Sequence, residues 1–204
     1  LHPLAADRPG GGDTVAIVAP ARPVSRERVE RARTRLEAMG FKVKVPDNLY
    51  RKRGNLAGTD AERAEELMAA FRDPEVKAIL PGTGGYGTTR MIDLLDYEVI
   101  RRNPKILEGF SDITGLHLAI RKKTGLVTFH GPNLMSGLGS KDNLADYSAE
   151  FLWRALLERS YLDADGHPLP PGYVFTLPED ATPIQVLSPG VARGRLTGGN
   201  LSLI

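Results

Sequence analysis

The chain has no cysteine among its 204 residues, which excludes disulfides, thiolate metal sites and a cysteine nucleophile. A secreted protein can also lack cysteine, so the absence does not fix a compartment. Long apolar runs are missing too. None approaches the roughly 18 residues that cross a bilayer, and no membrane partner is expected. Charge of one sign is scarce: 27 Lys and Arg face 25 Asp and Glu, for a net charge of +2. That excess is too weak to imply a nucleic-acid partner. The one tight basic run, Arg51-Lys52-Arg53, reads as a solvated loop edge. Four histidines are present without a His-Glu-x-x-His spacing, so a metal site is not expected. Leu1-His2-Pro3 offers neither an initiator Met nor a charged stretch leading into an apolar one. It reads as a trimmed or processed start and not as a signal peptide. A cytoplasmic location is expected, with export left open by that start.

What is present is a soluble, globular composition, 41% hydrophobic and 25% charged, in which strands and helices alternate. Residues 14–19 (TVAIVA) form a continuous apolar run of strand length, as in a strand buried on both faces. A helix is expected over 25–39, with Val29, Ala32, Leu36 and Met39 on one face and Gly40 at its left-handed cap. Phe41, Val43 and Val45 alternate with lysines, which marks a strand near the sheet edge. Thr59-Asp60-Ala61-Glu62 reads as a capping box opening a helix whose face is Ala61, Ala64, Leu67, Met68 and Phe71. Further strands are expected over 76–80, 105–110 and 126–129. The helices between and after them are expected over 88–95, continuing irregularly to Ile100, and over 113–123 and 148–158.

Repeated strand–helix units of this length imply right-handed crossovers. The expected fold class is α/β: an open, mostly parallel sheet with helices on both faces, flavodoxin- or Rossmann-like. Residues 1–12 form a tail in this scheme and 13–160 the α/β domain. Six prolines between 168 and 189 mark 161–192 as a linker, with short strand-like pieces at 184–187 and 191–196. Residues 193–204 read as the start of a second domain that stops at Ile204 in an apolar stretch, as a truncation would.

In open α/β sheets ligands bind outside the carboxyl ends of the strands. Two such ends are unusual here. The first is Gly82-Thr83-Gly84-Gly85-Tyr86-Gly87-Thr88-Thr89, whose glycines let backbone N–H groups approach an anion. It could cradle a phosphate, form an oxyanion hole, or be a turn without a ligand. No Lys follows as in a nucleotide P-loop, and the glycine spacing fits the dinucleotide fingerprint poorly. The second is Gly109-Phe110-Ser111-Asp112, a Ser on a sharp turn between strand and helix. Ser111 is a candidate nucleophile there, although Ile113 stands where the usual elbow has Gly. The alternative is that Ser111 or Asp112 merely caps the helix. A serine nucleophile needs a base, commonly His with a carboxylate behind it. His117 lies on the helix after Ser111 but off the Ser face, whereas His130 ends the fifth strand and could line the same cleft. His130 is therefore either an in-chain base or a loop histidine.

Six motifs in order resemble the LD-carboxypeptidase family, which includes the muramoyltetrapeptide and microcin C immunity carboxypeptidases. They are Val15-Ala16-Ile17-Val18-Ala19-Pro20, Leu56-Ala57-Gly58-Thr59, Gly84-Gly85-Tyr86-Gly87, Gly109-Phe110-Ser111-Asp112-Ile113-Thr114, His130-Gly131-Pro132 and Gly198-Gly199-Asn200-Leu201. The resemblance implies that Ser111 is the nucleophile and that the backbone amides of Gly85 and Asp112 form the oxyanion hole. It makes Gly84, Tyr86, His130 and Asn133 candidates for the substrate pocket. It also implies that the catalytic Glu and His lie past Ile204, that His130 is not the triad His, and that the isolated chain has no useful turnover. Members are cofactor-independent, commonly homodimeric, and cleave an amide between an L-centre and a C-terminal D-residue in murein peptides. Many carry Arg before Gly-Gly-Tyr-Gly, where this chain has Thr83, so any contact made by that Arg has no counterpart at this position.

Overall fold

A computed structural model describes residues 6, 7, 9–142, 146–157, 185–191, 193 and 198–204. The chain forms two units, Leu1–Glu158 with Gly199–Ile204, and Arg159–Gly198. Of the second unit, residues 185–191, 193 and 198 are described; they are exposed and carry no strand or helix. Most of the expected linker and strand-like pieces lie outside the described residues.

The first unit is built on β1 (Thr14–Val18), β2 (Lys42–Lys44), β3 (Val76–Pro81), β4 (Ile106–Gly109) and β5 (Phe129–His130). The sheet is parallel throughout, in the order β2-β1-β3-β4-β5. This is the expected doubly wound architecture, with β2 at the edge. The chain runs outward from β1 to β2 and then crosses back to β3, so the order reverses between β1 and β3, where such folds open a crevice.

The helices are α1 (Arg26–Ala38), α2 (Asp60–Arg72), α3 (Tyr97–Arg102), α4 (Thr114–Thr124) and α5 (Asp146–Leu157). One core packs Ala16, Val18, Ile79 and Leu107 of the sheet against Leu67, Phe71, Ile100 and Leu116. The other packs Val15, Ile17, Leu80 and Ile106 against Val29, Leu36 and Leu156. Alternate residues of each strand thus feed opposite cores, which explains why the strands read as unbroken apolar runs.

Local signals act where expected. Ser25 caps α1, Gly40 follows it at φ 90°, and Thr59 and Glu62 close a reciprocal capping box on α2. Four expectations change. Met39, expected on the buried face of α1, is 40% exposed at its C-cap, beyond the last packed turn. The helix over 88–95 is instead a turn followed by a single 3-10 turn at Ile92–Leu94. The Asp96 carboxylate then accepts from the Glu98 and Val99 amides and starts α3 afresh. The fifth strand is continuous only over Phe129–His130; Leu126, buried with its amide donating to Thr124 Oγ1, makes just a single bridge before it. On α2, Ala61 is exposed while Arg63 and Glu66 are buried.

A cavity of about 930 Å³ lies between α2 and the β1–β2 edge, floored by Ala16, Val18, Val43 and Ala70. Its charged rim is paired off: Arg51 with Glu66 at 3.0 Å, Lys44 with Asp73 at 2.6 Å, Arg33 with Glu37 at 2.8 Å. None of the described helices is long and apolar enough to cross a membrane.

Candidate active site

The carboxyl ends of β3 and β4 bring the two unusual turns together. Ser111 leaves β4 at φ 62°, the only non-glycine with positive φ among the described residues. A left-handed conformation costs an L-residue about 1–2 kcal/mol, so surrounding contacts must hold it. Those contacts are visible. Asn133, 2% exposed, accepts from the Phe110 N–H at 3.0 Å and donates to the Phe110 carbonyl at 3.3 Å. His117 reaches back from α4 to the Gly109 carbonyl at 2.8 Å. Thr88, after the glycine turn, donates its N–H to the Asp112 carboxylate at 3.0 Å and its hydroxyl to the Asp112 carbonyl.

The glycine turn lies directly against the elbow. A Cβ on Gly84 would stand 2.9 Å from Ser111 Cβ and 3.2 Å from the Asp112 nitrogen. Only glycine allows this approach. Gly85, at φ 143°, has the side chain of Arg22 where its own Cβ would be. The backbone N–H groups of Gly85 and Asp112 have no acceptor among the described residues, and the Ser111 hydroxyl has no hydrogen-bond partner among them. Tyr86 is 85% exposed at the tip of the turn. Gly87 is held from behind by buried Arg63, which also binds the Pro20 carbonyl and Asp60.

The electrostatics favour neutral groups behind the nucleophile. Burial pushes the His117 pKa down to about 4, so the ring is neutral at pH 7 with its proton on Nε2, where it donates to Gly109; Nδ1 has no partner. Burial likewise holds the Glu108 carboxyl well above the usual carboxylate range, and its Oε1 has no partner. His130 is exposed, edge-on to Phe110 at 6.3 Å and to His117 at 6.2 Å between ring centroids. No described histidine is hydrogen-bonded to Ser111.

The structure therefore gathers Ser111, Asp112, Gly84, Gly85 and Asn133 into one cluster, with Tyr86 and His130 on its rim. Arg63, Thr88 and the backward reach of His117 escaped the sequence analysis. Thr88 closes the glycine turn, and that position was the one available signal. Arg63 takes the Pro20 and Gly87 carbonyls from loops distant in sequence, and His117 folds back onto the end of β4. On the far side, Gly199 packs against Thr114, whose hydroxyl accepts from the Asn200 N–H at 2.9 Å.

The arrangement can present a serine hydroxyl to a carbonyl carbon beside two free amides, which is the geometry acyl transfer requires. Comparison with known proteins points the same way. Residues 15–131 match the family model for the LD-carboxypeptidase N-terminal domain. The "Probable murein peptide carboxypeptidase" of Bacillus subtilis (strain 168) is 42% identical over 193 residues, covering 95% of this chain and 56% of that protein. The microcin C7 self-immunity protein MccF of Escherichia coli is 32% identical over 227 residues, covering 100% of this chain and 63% of that protein. The crystal structure of an MccF-like protein from Bacillus anthracis str. Ames superposes with a TM-score of 0.71 at 36% identity, covering 76% of this chain and 47% of that one. The chain thus spans little more than half the length of the curated relatives it matches.

Proposed function

Because the chain belongs to the LD-carboxypeptidase family, we propose that it carries the nucleophile-bearing part of a serine carboxypeptidase. The substrate of this reading is a murein peptide ending in a D-amino acid. Ser111 Oγ adds to the carbonyl carbon of the last amide, and its proton passes to a general base. The resulting oxyanion accepts from the Gly85 and Asp112 amides. The C–N bond then breaks, the base returns the proton to the leaving amine, and water hydrolyses the acyl-Ser111 ester. The base and its carboxylate partner are the His and Glu that the family resemblance places beyond Ile204. A homodimer and a cytoplasmic location remain parts of this proposal.

The observation that supports it most strongly is the left-handed Ser111 held against two free amides, one on its own turn and one on the neighbouring strand's loop. In the full-length protein, Ser111→Ala is expected to cut release of the terminal D-residue from a murein tetrapeptide by at least about 10⁴-fold, as in other serine hydrolases. Undiminished release by the variant would overturn the assignment. Solved structures of the microcin C7 self-immunity protein MccF in complex with aspartyl sulfamoyl adenosine and glutamyl sulfamoyl guanosine support a second reading, cleavage of a peptidyl- or aminoacyl-nucleotide. Running the assay on both substrate classes ranks the two by kcat/KM. Tight binding of murein peptide without cleavage would instead leave a peptidoglycan-fragment binding domain.

A further inference from the structure

Arg22 lies in the loop after β1, facing the glycine turn across the crevice where the strand order reverses. Its aliphatic stem fills the space a side chain on Gly85 would need, with Cγ 2.3 Å from that ideal Cβ position. Its Nε donates to the Gly84 carbonyl at 3.4 Å. Gly84 in turn touches Ser111, so one residue separates the guanidinium from the candidate nucleophile.

The charge around this rim is otherwise accounted for. Arg63 and Arg90 both pair with Asp60, and the Asp112 carboxylate is taken by the Thr88 amide. The glycine turn has no charged residue of its own from Gly82 to Thr89. Arg22 is exposed and has no carboxylate within 4.0 Å among the described residues. It is an unneutralised cation whose stem packs against Gly85. Its one hydrogen bond uses Nε, which leaves both terminal nitrogens available for a planar, two-oxygen anion.

We infer that Arg22 binds the free carboxylate at the substrate's C-terminus and so restricts the site to the last residue of a peptide. The inference rests on the carboxypeptidase reading above. The dimensions agree with it. Standard bond lengths added to the contacts just given put Nε no more than about 11 Å from Ser111 Cβ. A carboxylate carbon one residue past the scissile bond lies about 4 Å from the attacked carbon, and a guanidinium reaches about 3 Å further by hydrogen bonding. Gly85 then has two functions: it exposes an amide toward the oxyanion, and by lacking Cβ it seats the arginine.

The test is equilibrium binding to the full-length protein in a Ser111→Ala background, so that no turnover intervenes. Two murein tetrapeptides are compared, one with a free C-terminal carboxylate and one with a carboxamide. The carboxamide is expected to bind about 10- to 100-fold more weakly, the range for a lost hydrogen bond to a charged group. Arg22→Gln should weaken the acid by a similar factor and leave the amide unchanged, while Arg22→Lys recovers part of the loss. In the active enzyme the same Arg22→Gln change should raise KM with kcat nearly constant. Equal binding of acid and amide by the parent protein, or equal weakening of both by Arg22→Gln, would overturn the role of Arg22 and leave the peptidase reading standing. Binding of neither peptide would overturn both.

Discussion

The cavity beside α2 and the cluster around Ser111 sit on the same sheet and solve opposite problems. The cavity is large, about 930 Å³, and its rim carries many charges, yet those charges neutralise one another. The Ser111 cluster instead leaves without partners, among the described residues, two amides and a hydroxyl, groups that acyl transfer uses. A chemical site is recognised by what its groups still lack. By that measure the edge cavity is scaffold, and the strand ends are where the proposed machinery sits.

The sharpest way to break this contrast is to compare Ser111→Ala with changes at the cavity. The first should abolish turnover while leaving the urea midpoint nearly unchanged. Glu66→Ala should do the reverse. Glu66 accepts from the Ala19 N–H at 2.6 Å and pairs with Arg51, so truncation strands two donors and costs about 2–3 kcal/mol in urea unfolding, with kcat per folded molecule unchanged. Glu66→Gln keeps an acceptor for Ala19 and removes a carboxylate that burial already pushes above its ordinary range, so it should cost much less. Loss of turnover in Glu66→Ala at full folding would place machinery at the cavity after all.

Acid sharpens the comparison next. His117 is held neutral in the fold, so its depressed pKa adds stability that is fully present above pH 6.5 and is lost as pH falls through about 4. The difference is worth up to about 3 kcal/mol. Glu108 works in the other direction: its raised pKa makes the fold lose stability as pH climbs above the ordinary value of 4.5. His117→Gln should flatten the acid limb of a stability–pH profile, and Glu108→Gln should raise stability most at the alkaline end. Unfolding measured in urea from pH 4 to 8 separates the two.

Smaller effects follow at the clamp and the cap. Asn133→Ala frees both sides of the Phe110 peptide and should lower kcat about 10- to 100-fold with KM little changed, because the loss is one of positioning. Asn133→Asp retains an acceptor for the Phe110 N–H and should recover part of that. Thr59→Ala removes the α2 capping box, costs about 1 kcal/mol, and leaves kinetics untouched.

Much of this was legible in the residues alone, and the limits have a physical pattern. Strands and caps were readable because apolar runs and Thr59-x-x-Glu62 act over a few neighbours. The Ser111 turn and the glycine turn were readable because each carries residue types that ordinary turns do not need. The helix over 88–95 misled because its apolar spacing suits a helix, while Asp96 captures two amides and restarts the chain there. Arg63 and Glu66 lie off the apolar face expected for α2, yet both are buried. They are buried because loops at Pro20, Ala19 and Gly87 bring polar atoms to them, a fact no window on α2 contains. Asn133 was singled out as a pocket residue on family grounds, but its grip on a peptide 23 residues away is purely tertiary.

The φ of 62° at Ser111 has an evolutionary consequence. At that torsion glycine is the residue the backbone prefers, so Ser111→Gly relaxes the turn while removing the hydroxyl. A laboratory lineage propagated for thermal endurance without a call on activity should drift to Gly at this codon early. Persistence of Ser in such a lineage would mean that something besides chemistry defends it.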